Sequence, residues 1–187
     1  MKPGKSNKPA DFFSVQSIQE QNPEMKENIL VAHALNGCDT TSTVYGKGKI
    51  TSYNVFKKHG LHDIVAKFND PDCSEEDIFV AGCQYILKLY GAKNIETSLD
   101  NHRFCYFMNS ATKTTVYLAS LPPTPNAVRQ HALRAYHQIQ KWKSNCKLPT
   151  QWGWEVEGRQ LEPVRMTSPP APESLLKLIS CGCVKGC

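Results

Sequence analysis

Two groups of residues in this 187-residue chain carry chemistry by their types and spacing. The first is Gly46-Lys47-Gly48-Lys49, followed by Lys57-Lys58-His59. Glycines at 46 and 48 let the backbone turn tightly and present amide hydrogens at the head of a helix, where the helix dipole favours a phosphate. Lysines on either side of that helix add phosphate contacts that position a nucleic acid without reading its bases. With the Gly37-Cys38-Asp39 loop ahead of it, the arrangement has the logic of a helix-hairpin-helix that grips a DNA backbone. The second group is Cys181, Cys183 and Cys187, three thiols within seven residues. In a reducing compartment clustered thiols suggest zinc rather than disulfides, and structural zinc takes four ligands. The fourth would come from a histidine, another cysteine or a second chain.

Other polar and aromatic residues read more simply. His33 lies within the apolar run Ile29 to Leu35 and is expected to be a satisfied core histidine. Cys38 has no histidine placed by sequence to activate it, which argues against a cysteine hydrolase. His131 and His137 are six apart, a spacing that does not stack them for a shared metal, so both are expected on a polar, basic helix face. Trp152 and Trp154 could stack on bases, but packing within a hairpin is the commoner use.

Charge distribution says more than its sum. There are 22 Lys and Arg against 17 Asp and Glu, a net charge of +5. Residues 45–60 hold Lys47, Lys49, Lys57 and Lys58 and no acid. Residues 111–147 hold Lys113, Arg129, Arg134, Lys141, Lys143 and Lys147, again with no acid. Between them lies an acidic stretch from Asp70 to Asp100. Two acid-free blocks can form a face that attracts phosphates. The longest apolar run is too short to span a membrane, and the first ten residues, with Lys2, Lys5 and Lys8, lack the apolar stretch of a signal peptide. No membrane association is expected, and the expected location is intracellular, in the nucleus. Eight cysteines, five of them scattered, do not form a disulfide framework.

These residues need helices to position them. Residues 1–10 read as a disordered tail. Asn22-Pro23-Glu24 predicts the start of a buried helix over 23–36 that ends at Gly37. A second helix over 50–59 closes at Gly60, and a short third over 61–68 stops at Asn69-Asp70-Pro71. Ser74 with Asp77 predicts a capped helix whose stripe Ile78, Gly82, Tyr85 and Leu89 is core, ending at Gly91. Residues 96–109 read as helical, anchored by Leu99, Phe104, Phe107 and Met108. Thr124-Pro125 opens the clearest helix, to about 144, with Val128, Ala132, Ala135, Ile139 and Trp142 on the packed face and Arg129, Arg134, His137 and Lys141 elsewhere. A small hairpin turning at Glu157-Gly158 is expected to be anchored by Trp154, Val156 and Leu161. Residues 163–172 read as a proline-rich linker and 172–180 as a short helix. The expected fold class is therefore mainly α: a helical array with a helix-hairpin-helix at 23–60 inside a helical domain at 12–148. A β-hairpin at 149–162 and a linker, helix and cysteine tail at 163–187 would follow.

The stretch from Gly37 to Gly60, including the seven-residue step from Asp39 to Gly46, resembles the glycine-aspartate loop and helix-hairpin-helix of the flap-endonuclease, or PIN-like, nuclease superfamily. More broadly, residues 29–187 are similar to uncharacterised proteins associated with transposable elements of animal genomes. The resemblance implies that Gly46, Gly48 and Lys49 belong to the DNA-gripping hairpin and that Asp39 corresponds to a carboxylate that helps hold catalytic magnesium. It also likens the final cysteines to the start of a CXC-type DNA-binding tail. Lys47 departs from the apolar residue usual between those glycines. A two-metal nuclease needs several carboxylates upstream of this loop. Only Asp11, Glu20, Glu24 and Glu27 precede it.

The expectation is therefore a nucleic-acid-binding remnant of a mobile-element nuclease, the back part of a larger protein, without intrinsic catalysis. Its partner would be duplex or branched DNA, contacted without sequence specificity. The alternatives are a magnesium-dependent nuclease that uses Asp39, and an interaction module that binds a protein through the second basic block and the cysteine tail.

Overall fold

The computed structural model describes residues 14–93, 98–112 and 117–166, apart from the side chain of Glu24. The expected N-terminal tail, Lys113, the proline-rich linker, the 172–180 helix and Cys181, Cys183 and Cys187 lie largely or wholly outside the described residues. Within them the chain is mainly helical: α1 (Val15–Gln21), α2 (Pro23–Lys26), α3 (Ile29–Leu35), α4 (Lys49–His59), α5 (His62–Asn69), α6 (Glu75–Leu89), α7 (Leu99–Ala111) and α8 (Pro125–Trp142). Short 3₁₀ turns at Leu118–Ser120 and Pro149–Gln151 precede α8 and the hairpin β1 (Trp154–Glu157) and β2 (Gln160–Pro163). No helix among the described residues is long and apolar enough to cross a membrane.

Local signals set most boundaries. Ser74 Oγ accepts from the Asp77 amide and Thr124 Oγ1 from the Ala127 amide, each satisfying one of the orphan donors at a helix start. Gly60 ends α4 in the left-handed region, at φ 70°. The expected helix over 23–36 is broken at Glu27 and Asn28 into α2 and α3. Asn22 does not cap it either. Its Nδ2 donates to Ile18 O, closing α1, and its Oδ1 accepts from Tyr53 Oη.

The core sits where α8 crosses α6 and α3. The predicted stripe on α6 is buried, as are Val128, Ala132, Ala135 and Ile139 of α8. Gly82 marks the closest approach of the two helices, since a Cβ built there would lie 2.7 Å from Ala132 Cβ. Phe68 and Tyr136 meet where α5 joins, and Trp152 packs on Tyr136 with ring centroids 4.4 Å apart.

Three expected anchor sets are corrected. On α7 only Leu99 is buried, while Phe104 is 63 % exposed and Phe107 and Met108 are also exposed. In the hairpin Val156 and Leu161 face solvent. The anchor is Trp152, one residue before the left-handed Gly153. The two-residue hairpin loop is Gly158-Arg159, between the paired residues Glu157 and Gln160. Finally, Trp142 lies at the exposed end of the α8 stripe, stacked on His33.

Gly82→Ala should destabilise the fold by about 1 kcal/mol or more. Overpacking against Ala132 exceeds the roughly 1 kcal/mol that alanine gains in helix propensity. Urea unfolding followed by circular dichroism measures the difference.

Candidate nucleic-acid interface

The glycine hairpin forms because the chain must reverse between the end of α3 and the head of α4. The turn at 44–47 closes with the Lys47 amide donating to Val44 O, and Gly46 takes φ 67°, a conformation that favours glycine. Buried Asn36 holds the hairpin from beneath, its Nδ2 donating to Lys47 O at 2.9 Å and, more weakly, to Gly48 O. Gly48 is the N-cap of α4 and supplies no side-chain acceptor for the first-turn amides. A Cβ at Gly46 or Gly48 would meet nothing within 4 Å, so both glycines face open space. Ser52 anchors the first turn of α4 to the core through a 2.8 Å bond with Tyr85 Oη.

The lysines around this hairpin are not equivalent. Lys47 is half-buried with Nζ 4.5 Å from the Tyr90 ring centroid, and burial lowers its ammonium from the ordinary lysine range. Lys49 is turned back across the loop, with Nζ 2.8 Å from His33 Nδ1 and 3.1 Å from Gly37 O. Lys57 and Lys58 are exposed in the last turn of α4, about 12 to 14 Å along the helix from Lys49 by its rise per residue. The structure therefore places Gly46 to Lys49 together and puts Lys57-Lys58 at the opposite end of the same helix. Sequence reading missed a neighbour of that far end: partial burial, then Lys58 and Lys88, hold the His59 imidazole below its usual range. Lys88 closes α6 after the acidic stretch begins, so counting charge by blocks of sequence concealed it.

Asp39 stands exposed at the tip of a turn in which Cys38 and Thr41 exchange backbone hydrogen bonds. Thr41 ties the turn down by donating to Ala34 O at 2.8 Å. Gly37 precedes it at φ 100°, and a Cβ there would run into Thr43 at 2.5 Å, so glycine is required. Burial pushes the Cys38 thiol up, but hydrogen bonds with Thr40 and Thr41 outweigh this and leave it below its ordinary value. Among the described residues no three His, Cys, Asp or Glu side chains converge to hold a metal ion. The groups described around Asp39 therefore do not fit a pair of magnesium ions. Asp39 instead borders a cleft of about 850 Å³ whose lining includes Arg103, His131, Arg134, Trp154 and Arg165.

The second basic block is used largely inside the protein. Arg129 pairs with Glu76 at 2.6 Å and lies over the Phe79 ring, and Arg134 donates to Gly153 O. Lys143 donates to Asn69 O at 2.8 Å, and Lys147 is hydrogen-bonded to Pro71 O. Lys141 remains exposed. The histidines also depart from expectation. His33 is exposed rather than core, while His131 and His137 turn inward, their Nε2 atoms donating to Leu35 O at 2.9 Å and Lys147 O at 3.2 Å. Burial, more than any neighbour, lowers the affinity of both for protons.

Because both imidazoles bind protons more weakly folded than unfolded, their contribution to stability is complete above about pH 6.5 and is lost as pH falls through that value toward the folded pKa. Thermal melts should show a falling midpoint between about pH 7.5 and about pH 5. His131→Gln, which keeps a donor for Leu35 O without titrating, should reduce that fall; a wild-type midpoint that stays level would contradict the assignment.

No protein-family model matches the chain, and neither the curated proteins nor the solved structures give a match.

Proposed function

We propose that the protein binds the phosphate backbone of duplex or branched DNA without reading sequence, using the Gly46–Lys49 hairpin and the exposed Lys57-Lys58 pair. On this reading it is a binding remnant of a PIN-like nuclease from a mobile element, acting in the nucleus. The observation that carries the reading is the head of α4. Its first-turn amides have no side-chain cap, its two glycines open onto solvent, and the helix is 11 residues long. Such a terminus is a ready site for an anion, and a phosphate can approach closely where no Cβ intervenes. The exposed pair at the far end supplies further phosphate contacts of the sequence-independent kind. The nuclease alternative lacks a described set of carboxylates around Asp39. A protein partner would have the exposed α7 residues Phe104, Phe107 and Met108 as its surface.

Gly48 allows a clean test, because its φ of −75° suits any residue and the space beside it is open. Gly48→Ala should cost about 1 kcal/mol or less in stability, the difference between glycine and alanine as N-caps, and leave the protein folded, yet weaken DNA binding several-fold in fluorescence anisotropy titrations. Lys57→Gln with Lys58→Gln should weaken binding across all sequences alike and reduce the slope of log affinity against log salt by about two. The reading fails if duplex and flap DNA show no affinity at about 50 mM salt, or if neither change alters it.

A further inference from the structure

The lysine at the head of α4 already has partners in the folded chain. An ammonium can only donate, so the 2.8 Å contact between Lys49 Nζ and His33 Nδ1 requires a neutral imidazole with its proton on Nε2. The same Nζ donates to Gly37 O, just past the C-terminus of α3, where the helix dipole favours a cation. His33 is itself fixed, its ring stacked on Trp142 with centroids 5.7 Å apart and planes 23° from parallel. Lys49 and His33 are both exposed, so solvent and ligands reach the pair.

We propose that His33 is a positioning residue for Lys49. In its neutral form it holds the ammonium over the end of α3, and on protonation it releases the ammonium toward a phosphate at the head of α4. The proposal rests on the DNA-backbone reading above and adds its regulation. Protonation removes the lone pair that accepts from Lys49 and sets a second positive charge beside it, so both effects push Lys49 off. Released, Lys49 adds a cation at the anion-binding end of α4, and the imidazolium adds another nearby. DNA affinity then rises as pH falls through the histidine range.

Other titratable groups on the elements around α3 have different environments. On α8, His131 is bonded to Leu35 O, Lys143 to Asn69, and Lys141 is exposed. On α5, Lys67 is paired with Asp77, and His62 and Asp63 are exposed. Lys26 and Glu27, before α3, are exposed too. In the 36–48 loop, Lys47 lies over Tyr90, Cys38 is bonded to Thr40 and Thr41, and Asp39 is exposed at its turn. His59, beside Lys58 and Lys88 at the far end of α4, titrates separately and contributes equally to every His33 variant.

The test measures binding of one duplex by anisotropy at about pH 8 and about pH 5.5 for wild type, His33→Gln and His33→Ala. Glutamine keeps an acceptor that does not titrate, and alanine removes the acceptor. Wild type should gain about tenfold more affinity on acidification than either variant, and its salt slope should steepen by about one contact. His33→Gln should match the weak wild-type affinity at high pH and bind more weakly than wild type at low pH, and His33→Ala should bind more tightly than wild type at high pH. Lys49→Gln should abolish the difference between the His33 variants. Independently of DNA, the Lys49 ε-methylene NMR signal should move across the histidine range in wild type and stay fixed in His33→Gln. A stationary Lys49 signal in wild type, or equal pH responses in all three proteins, overturns the latch. A moving signal with no DNA binding in any variant overturns the phosphate reading and leaves the His33–Lys49 pair standing.

Discussion

Each helix ends in carbonyls with no partner in their own helix, and a chain of many short helices has many such ends to satisfy. Here α8 and the residues just after it supply much of what the others lack. His131 donates to the last carbonyl of α3, and Gln140, fully buried, donates to Phe68 O near the end of α5 while its own oxygen accepts from Asn145. Tyr136 reaches Asp70 O and Pro71 O, Lys143 reaches Asn69 O, and Arg134 reaches Gly153 O ahead of the hairpin. A donor lost from this row leaves a carbonyl unpaired, which costs more than the net worth of an exposed hydrogen bond. The close seating of α8 on α6, with Gly82 against Ala132, sets the height at which these donors meet their carbonyls.

That constraint decides where positive charge is available. The long acid-free block ending at Lys147 looks in sequence like a surface for phosphates. Yet Arg129, Arg134, Lys143 and Lys147 are directed at an acid, a ring or backbone oxygens within the fold. A cation aimed at the C-terminal carbonyls of a helix is favoured by the dipole as well as by the hydrogen bond, so such positions suit lysine for internal reasons. The first block behaves the same way in part, with Lys47 over Tyr90 and Lys49 over Gly37 O. Among the described residues, what remains open is narrower than the sequence suggested: Lys57 and Lys58 on α4, and Lys141 near the end of α8.

Elements with a local chemical signal were legible from sequence. Ser74 and Thr124 start helices through bonds to amides three residues on, Gly60 and Gly91 take the left-handed conformation where helices stop, and the α6 stripe and the α8 stripe as far as Ile139 are buried. Features that depend on distant residues were not legible. Asn22 has every mark of an N-cap, but Tyr53, thirty-one residues on, takes its side-chain oxygen. His33 sits within an apolar run, yet the helix breaks at Glu27 and Asn28 and leaves His33 exposed beside Lys49. The phenylalanines of α7, with Met108, have the i, i+3, i+4 spacing of a buried stripe, yet no other described element covers that face and only Leu99 reaches the core. At the candidate interface, the composition of the hairpin was readable from its glycines, whereas the commitments of its lysines required the fold.

The two ends of α4 carry unequal weight as evidence for a DNA partner. Lys57 and Lys58 lie at the negative pole of the helix, where cations are stabilised without any ligand, so their identity has an internal explanation. Gly48 has a weaker one. Its backbone does not need glycine, no neighbour crowds the missing Cβ, and a serine or aspartate in its place would add a side-chain acceptor for the first-turn amides. Glycine leaves those amides pointing outward, with the buried Asn36 side chain holding the hairpin carbonyls beneath them. Buried support under an uncapped, unobstructed helix head preorganises the backbone for an external anion at little entropic cost. The glycine that carries no charge therefore speaks for a phosphate partner more than the lysines that do.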